Sequence, residues 1–232
     1  MKRFFVISLS LFCPLLLALS GCRSERESPP PSSYNVWGID LSRYQGKVDW
    51  STVAERNRPN FVFLKATDGL LITDPLYDLN ARQLDEHGIL RGAYHFFGHR
   101  TPGKAQAQNF IRTAKLKKGN LAPVLDIEKH RFMTDPASSV REAKAFCEEI
   151  KRAYGVYPII YCSSLFYENY LRKEFPAKKY VLWIADYRGN PGDIGWQFWQ
   201  HTCSHKLAGM NHAVDRNVYC GTMEDLQKYI LK

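Results

Sequence analysis

The sequence predicts an α/β fold, a TIM-like (β/α) barrel with some helices short or missing. Two observations carry that prediction. Eight strand-like runs recur from about residue 36 to the end, and most are followed by a stretch with helical spacing. Such alternation implies parallel strands joined by crossover helices, and about eight units in roughly 200 residues suits a compact barrel. A doubly wound open sheet is the alternative, but "GIDLSRYQG" after the first run lacks a Gly-rich phosphate loop.

The elements follow in order. "NVWGID" reads as a strand, and Asp49 is placed to cap a short helix over "DWSTVAERN". "FVFLKAT" precedes "DPLYDLNARQLDEHG", where Asp74 suits the cap, Pro75 the first turn and Gly88 the stop. "ILRGAYHFF" leads into a helix with Thr101 and Pro102 before it and Gly119 after it. "LAPVLDIE" leads into "DPASSVREAKAFCEEIKRAYG", where Val140, Ala143, Phe146, Ile150 and Tyr154 fall on one helical face. "YPIIYCS", a short helical piece "SLFYENYLRK" and "KYVLWIADY" come next. "GWQFWQHT" and "AVDRNVY" have no obvious helix between them, and "TMEDLQKYILK" closes the chain as a helix.

The segment before the barrel reads differently. "MKRFF" and the apolar run after it form a secretory leader over residues 1–21, too short and too interrupted by Pro14 for a membrane span. "LSGC" resembles a bacterial lipobox, which implies lipidation of Cys22 and an exported protein anchored to a membrane at the periplasm or cell surface. Residues 22–34, polar and rich in Pro and Ser, read as a tether, and 35–232 as the barrel domain. The formal charge of +9 falls to +7 without Lys2 and Arg3. A cationic surface suits an anionic partner, and export argues against nucleic acid. Four cysteines remain beyond Cys22, and Cys203 with Cys220 is the expected disulfide, flanking a hairpin. His201, Cys203, His205 and His212 cluster but match no closed zinc pattern. A disulfide beside surface histidines is expected instead, with no metal and no cofactor. Nothing demands more than a monomer.

The chemistry concentrates at strand ends. Residues two apart in a strand share a face, so Asp126 and Glu128 of "LAPVLDIEKH" point the same way, roughly 6 to 7 Å apart along the backbone. In a barrel that face is the interior, at the mouth where catalytic groups collect. Two acids in a partly dry mouth cannot both ionise freely, which yields one proton donor and one charged stabiliser, the pair that glycosidic cleavage needs. Taken alone the pair could equally be solvated acids beside Lys129. Asp40, Asp215, Tyr94, His95, Trp183, Asp186, Tyr187, Trp196, Trp199 and Gln200 lie at other strand ends. Acids with aromatics suit a carbohydrate groove, although each tryptophan by itself is more readily a core residue.

The pieces "GIDLSRYQGKVDW", "FVFLKATDG", "GAYHFF", "PVLDIE", "YPIIYCS", "LWIADY", "WQFWQHT" and "VDRNVY", in that order, resemble glycoside hydrolase family 25, the lysozymes of the Chalaropsis type. The resemblance covers nearly all of residues 37–220. It implies an incomplete β/α barrel that hydrolyses the β-1,4 bond between N-acetylmuramic acid and N-acetylglucosamine in peptidoglycan. It also implies Glu128 as general acid and then base, with Asp126 positioning the substrate's own 2-acetamido group. Asp40, Asp215 and Tyr94 would line the groove, and Lys65, Tyr161, Trp183, Asp186, Trp199 and Gln200 complete the substrate-binding set. Asp68 stands where the family usually has Glu, and Arg216 where it usually has Leu. A glycan-binding module without turnover, or a hydrolase of another N-acetylated glycan, are the alternatives.

Overall fold

The computed structural model describes residues 34–232. The expected leader, Cys22 and the tether up to residue 33 lie outside the described residues. The strands are β1 (Val36–Leu41), β2 (Phe61–Asp68), β3 (Ile72–Thr73), β4 (Leu90–Phe96), β5 (Val124–Asp126), β6 (Ile159–Ser163), β7 (Leu182–Ala185), β8 (Phe198–His205) and β9 (Val214–Tyr219). The helices are α1 (Trp50–Arg56), α2 (Tyr77–Glu86), α3 (Gly103–Ala114), α4 (Pro136–Tyr154), α5 (Ser164–Phe166), which runs into a π-helical turn at Tyr167–Leu171, and α6 (Met223–Leu226).

The sheet order is β1-β9-β8-β7-β6-β5-β4-β2-β3, and β1 also pairs with β2. Eight strands therefore close into a barrel, with β3 folded back on the end of β2. Within the barrel, neighbours are parallel except around β9, which runs antiparallel to both β8 and β1. A parallel return needs a crossover of a dozen residues or more, whereas an antiparallel one needs only a hairpin. The short link from His205 to Val214 permits only the hairpin, so the last strand re-enters from the mouth. No helix lies between β7 and β8 or between β8 and β9, which leaves that side without helical cover.

Helix ends follow their caps where the sequence supplies them. Asp49 accepts from Thr52 N, and Asp135 from Ser138 N, starting α1 and α4; Gly155, in the left-handed region, ends α4. Two ends differ from expectation. Asp74 does not cap α2, because its carboxylate accepts from Leu76 N and Arg43 N instead, and the helix begins only at Tyr77. The stop of α3 is Lys115, at φ 45°, rather than Gly119.

Strand parity separates two cores. Ile39, Val62, Leu64, Leu125, Ile127 and Ile160 face the helices. Phe61, Phe63, Val124, Tyr161, Trp183 and Phe198 fill the barrel interior. There the rings form a plug: Phe63 stacks on Trp183 at 4.8 Å, while Phe61 and Phe198 meet edge to face at 5.4 Å. Each such ring contributes about 1.5–3 kcal/mol by leaving water. Gly38 and Gly92 make the room. A Cβ on Gly38 would lie 2.4 Å from the Phe61 ring, and one on Gly92 2.6 Å from the Phe63 ring.

The expected Cys203–Cys220 disulfide does not form. Cys220 is a free, exposed thiol. The register gives the reason: Cys220 N bonds Gln197 O, so Cys220 lies level with the start of β8, while Cys203 lies near its far end, roughly 20 Å away at strand rise. His201 is also not a surface residue; it is buried.

The glycine packing yields a stability test. Gly92→Ala should lower unfolding stability by about 1–3 kcal/mol through overpacking against Phe63. A urea unfolding midpoint equal to that of the native chain would refute the plug as described.

Candidate active site

Asp40, Lys65, Tyr94, Asp126, Glu128, Tyr161, Trp183, Gln200 and Asp215, nine of the eleven catalytic and substrate-binding residues expected from the sequence, line one open cleft of about 720 Å³. It sits at the C-terminal mouth of the parallel strands, directly above the aromatic plug. β5 delivers the two central acids. Val124 and Asp126 point into the barrel, Leu125 and Ile127 point into the outer core, and Glu128 follows just past the strand on the inner side. Asp215 reaches the same mouth because β9 starts there, and its register partner across the ladder is Asp40.

The cleft floor is a hydrogen-bond network centred on Asp40. Its Oδ2 accepts from Gln200 Nε2 at 2.9 Å and from Asn217 Nδ2 at 2.8 Å. Each carboxamide is itself oriented. Trp183 Nε1 donates to Asn217 Oδ1 at 2.8 Å. The hydroxyls of Tyr161 and Tyr187 both donate to Gln200 Oε1, at 2.8 and 2.6 Å. With their oxygens occupied, both amides must offer N–H to Asp40. Lys65 is the cation of the cleft. Its Nζ lies 2.9 Å from Asp68 and 4.7 Å from the centroid of the Phe96 ring.

Burial dominates the acid–base state. Desolvation lifts Asp40 from 3.8 to about 6, against the hydrogen bonds that favour its charged form. Asp126 is pushed well above the ordinary carboxylate range, first by burial and then by the charge of Glu128. Glu128 is raised by burial, with Asp40 adding to the effect and Tyr161 opposing it. That opposition is limited by proton count. The single hydroxyl proton of Tyr161 goes to Gln200, so toward Glu128 the phenol oxygen is an acceptor and favours the protonated acid. Asp126 Oδ1 is buried with no hydrogen-bond partner among the described residues. An unpaired buried acceptor is costly, so it marks a place for a donor from outside.

Two expected residues stand apart from the cleft. Trp199 is buried behind the barrel wall, against Tyr34 and Trp196, and its Nε1 donates to Asp186 O. The Asp186 carboxylate accepts from Ser164 Oγ at 2.5 Å and Arg188 N at 3.1 Å and does not line the cleft. The physical reason is parity: each neighbours a residue, Gln200 or Tyr187, that does face inward. His95 likewise points outward, bonded to Thr67 and Gln106 and stacked on Phe146. Asn217, outside the expected set, completes the floor from two residues beyond Asp215 on the same strand face. Ser42, Tyr44 and Gln45 also line the cleft, from a 3₁₀ turn after β1. No group of His, Cys, Asp and Glu able to hold a metal occurs among the described residues.

The arrangement places two carboxyl groups with raised proton affinity side by side on one open cleft. It matches what comparison with known proteins returns. The model for the glycosyl hydrolases of family 25 matches residues 39–210. YegX of Escherichia coli K12, itself uncharacterized, is 35% identical over 208 residues, covering 86% of this chain and 75% of that protein. Lysozyme M1 of Streptomyces globisporus is 27% identical over 218 residues, covering 85% and 72%. A solved family 25 glycosyl hydrolase from Bacillus anthracis superposes with a TM-score of 0.81 at 28% identity, covering 91% of this chain and all of that one.

The buried carboxyl at Asp40 has a sign that can be measured. An acid whose folded value is raised stabilises the fold fully below its unfolded value and loses that contribution as pH rises through the folded one. Relative to the native chain, Asp40→Asn should therefore gain stability between pH 3.8 and about 6. The full gain is about 3 kcal/mol. Urea midpoints across that window check it, and parallel pH profiles for the two proteins would refute it.

Proposed function

We propose, from the premise that this chain belongs to glycosyl hydrolase family 25, that it is a peptidoglycan hydrolase with Glu128 as its acid and base. Cleavage falls at the β-1,4 bond between N-acetylmuramic acid and N-acetylglucosamine, as the lysozyme among its relatives supports. The observation that carries the reading is the pairing of buried Asp126 with half-buried Glu128 at one mouth above the aromatic plug, with one carboxylate oxygen of Asp126 unpaired.

The steps follow from these groups. Protonated Glu128 gives its proton to the leaving glycosidic oxygen as the bond to the anomeric carbon breaks. Asp126 Oδ1 accepts from the N–H of the substrate's 2-acetamido group, which raises the electron density on the acetamido oxygen. That oxygen closes on the anomeric carbon and takes the place of an enzyme nucleophile. The Glu128 carboxylate then removes a proton from the water that opens the ring, which restores the acid. Asp40 and Asp215 supply negative potential near the oxocarbenium-like centre. Lys65, Tyr94, Tyr161, Trp183 and Gln200 shape the cleft.

The leader and the "LSGC" box support export and anchoring through a lipid on Cys22. No helix among the described residues is long and apolar enough to cross a membrane. Cys22→Ser should then move the protein from the membrane fraction to the soluble one. Recovery of both proteins in the same fraction would count against the anchor.

Glu128→Gln should reduce release of reducing ends from purified peptidoglycan by about 10²–10⁴-fold. Mass spectrometry of the digest should find muramic acid at the new reducing end. Native-level turnover by the variant would remove Glu128 from its role, and glucosamine at the new end would redirect the substrate.

A further inference from the structure

A second groove opens beside the cleft and shares Phe96 with it. Its cavity volume is about 330 Å³, and it is open to solvent. One wall is the turn after β2, with Asp68, Gly69 and Leu70; the other is the loop after β5, with His130 and Phe132. The two sites are also joined through His99, which lines the groove and whose Nε2 donates to the backbone carbonyl of Glu128 at 2.7 Å.

The charge in this groove is unusual. Arg100 and Arg131 both sit over the Phe132 ring, at 4.5 and 4.7 Å from its centroid, and the His130 ring lies 4.9 Å from it. Arg100 lines the groove and Arg131 flanks it on the same ring, so one aromatic side chain steadies two guanidiniums by cation–π contact. Neither arginine joins a salt bridge among the described residues. The nearby acids are engaged: Asp68 with Lys65, Asp135 with the first turn of α4, and Glu142 with Gly103 N. Guanidinium forks suit carboxylates, and the apolar floor of Phe96, Phe97 and Phe132 suits aliphatic side chains.

We propose that this groove binds the carboxylate-bearing peptide arm carried by the muramic acid sugar, with Arg100 and Arg131 as its anion contacts. The proposal rests on the peptidoglycan reading above and adds a second recognition element to it. A sugar seated over Glu128 would place a substituent on its ring within reach of the shared Phe96 boundary. The protein would then favour strands that keep their peptides over bare glycan.

Two measurements separate this from the reading beneath it. Hydrolysis is compared on peptidoglycan strands with peptides intact and on the same strands stripped of peptide. The native chain should prefer the intact strands by about tenfold, and Arg100→Ala/Arg131→Ala should bring that ratio close to one. Binding is read separately by calorimetry on Glu128→Gln, with N-acetylmuramoyl pentapeptide and N-acetylmuramic acid as probes. The peptide-bearing probe should bind about tenfold tighter, and the two arginine substitutions should erase the difference. Equal binding of the two probes, or equal losses on both strand types, overturns the groove assignment. Peptide-dependent binding with no hydrolysis of either strand would keep the groove and overturn the hydrolase reading instead.

Discussion

The carboxyl group of Asp40 is the constraint around which this active site is arranged. It is largely buried and poorly solvated, so the fold supplies two amide donors, and each amide is locked by aromatic donors behind it. The chain of contacts from Trp183 and Tyr161 through Asn217 and Gln200 ties four strands to one oxygen. Such a network fixes geometry because a rotation of either amide would leave an unpaired buried group. The same dryness that makes Asp40 costly lifts Asp126 and Glu128. Stability and catalytic readiness are thus opposed at one place, as is common for sites that hold shifted acids.

Beneath that layer the aromatic plug has a second use. It closes the barrel bottom, so water reaches the acids only from the mouth. Gly38 and Gly92 are the sequence cost of the plug, since any side chain there would meet Phe61 or Phe63. As a glycoside hydrolase, the protein gains a cleft whose acids are approached from the mouth of the barrel.

Much of this was legible in the sequence. All eight barrel strands could be found because apolar runs and caps alternate strongly, and β5 revealed its acids through parity alone. Some differences between sequence and structure fall where strand parity decides which wall a side chain faces. Trp199 precedes inward-facing Gln200, and Asp186 precedes inward-facing Tyr187, so both belong behind the wall. Asn217 could have been found by the same count from Asp215. Other differences had no local cue. Asp74 looks like a helix cap, yet a backbone amide 31 residues away claims its oxygen. The cysteine pairing failed because flanking a hairpin in sequence does not put two residues level across a ladder.

The side of the barrel without helices receives the N-terminal approach. Tyr34 rests edge-on against Trp196 and Trp199, and the chain then enters β1, which is hydrogen-bonded along both edges to β9 and β2. Traction applied to the N-terminus is directed along that strand. It would have to shear two ladders at once instead of peeling one bond at a time.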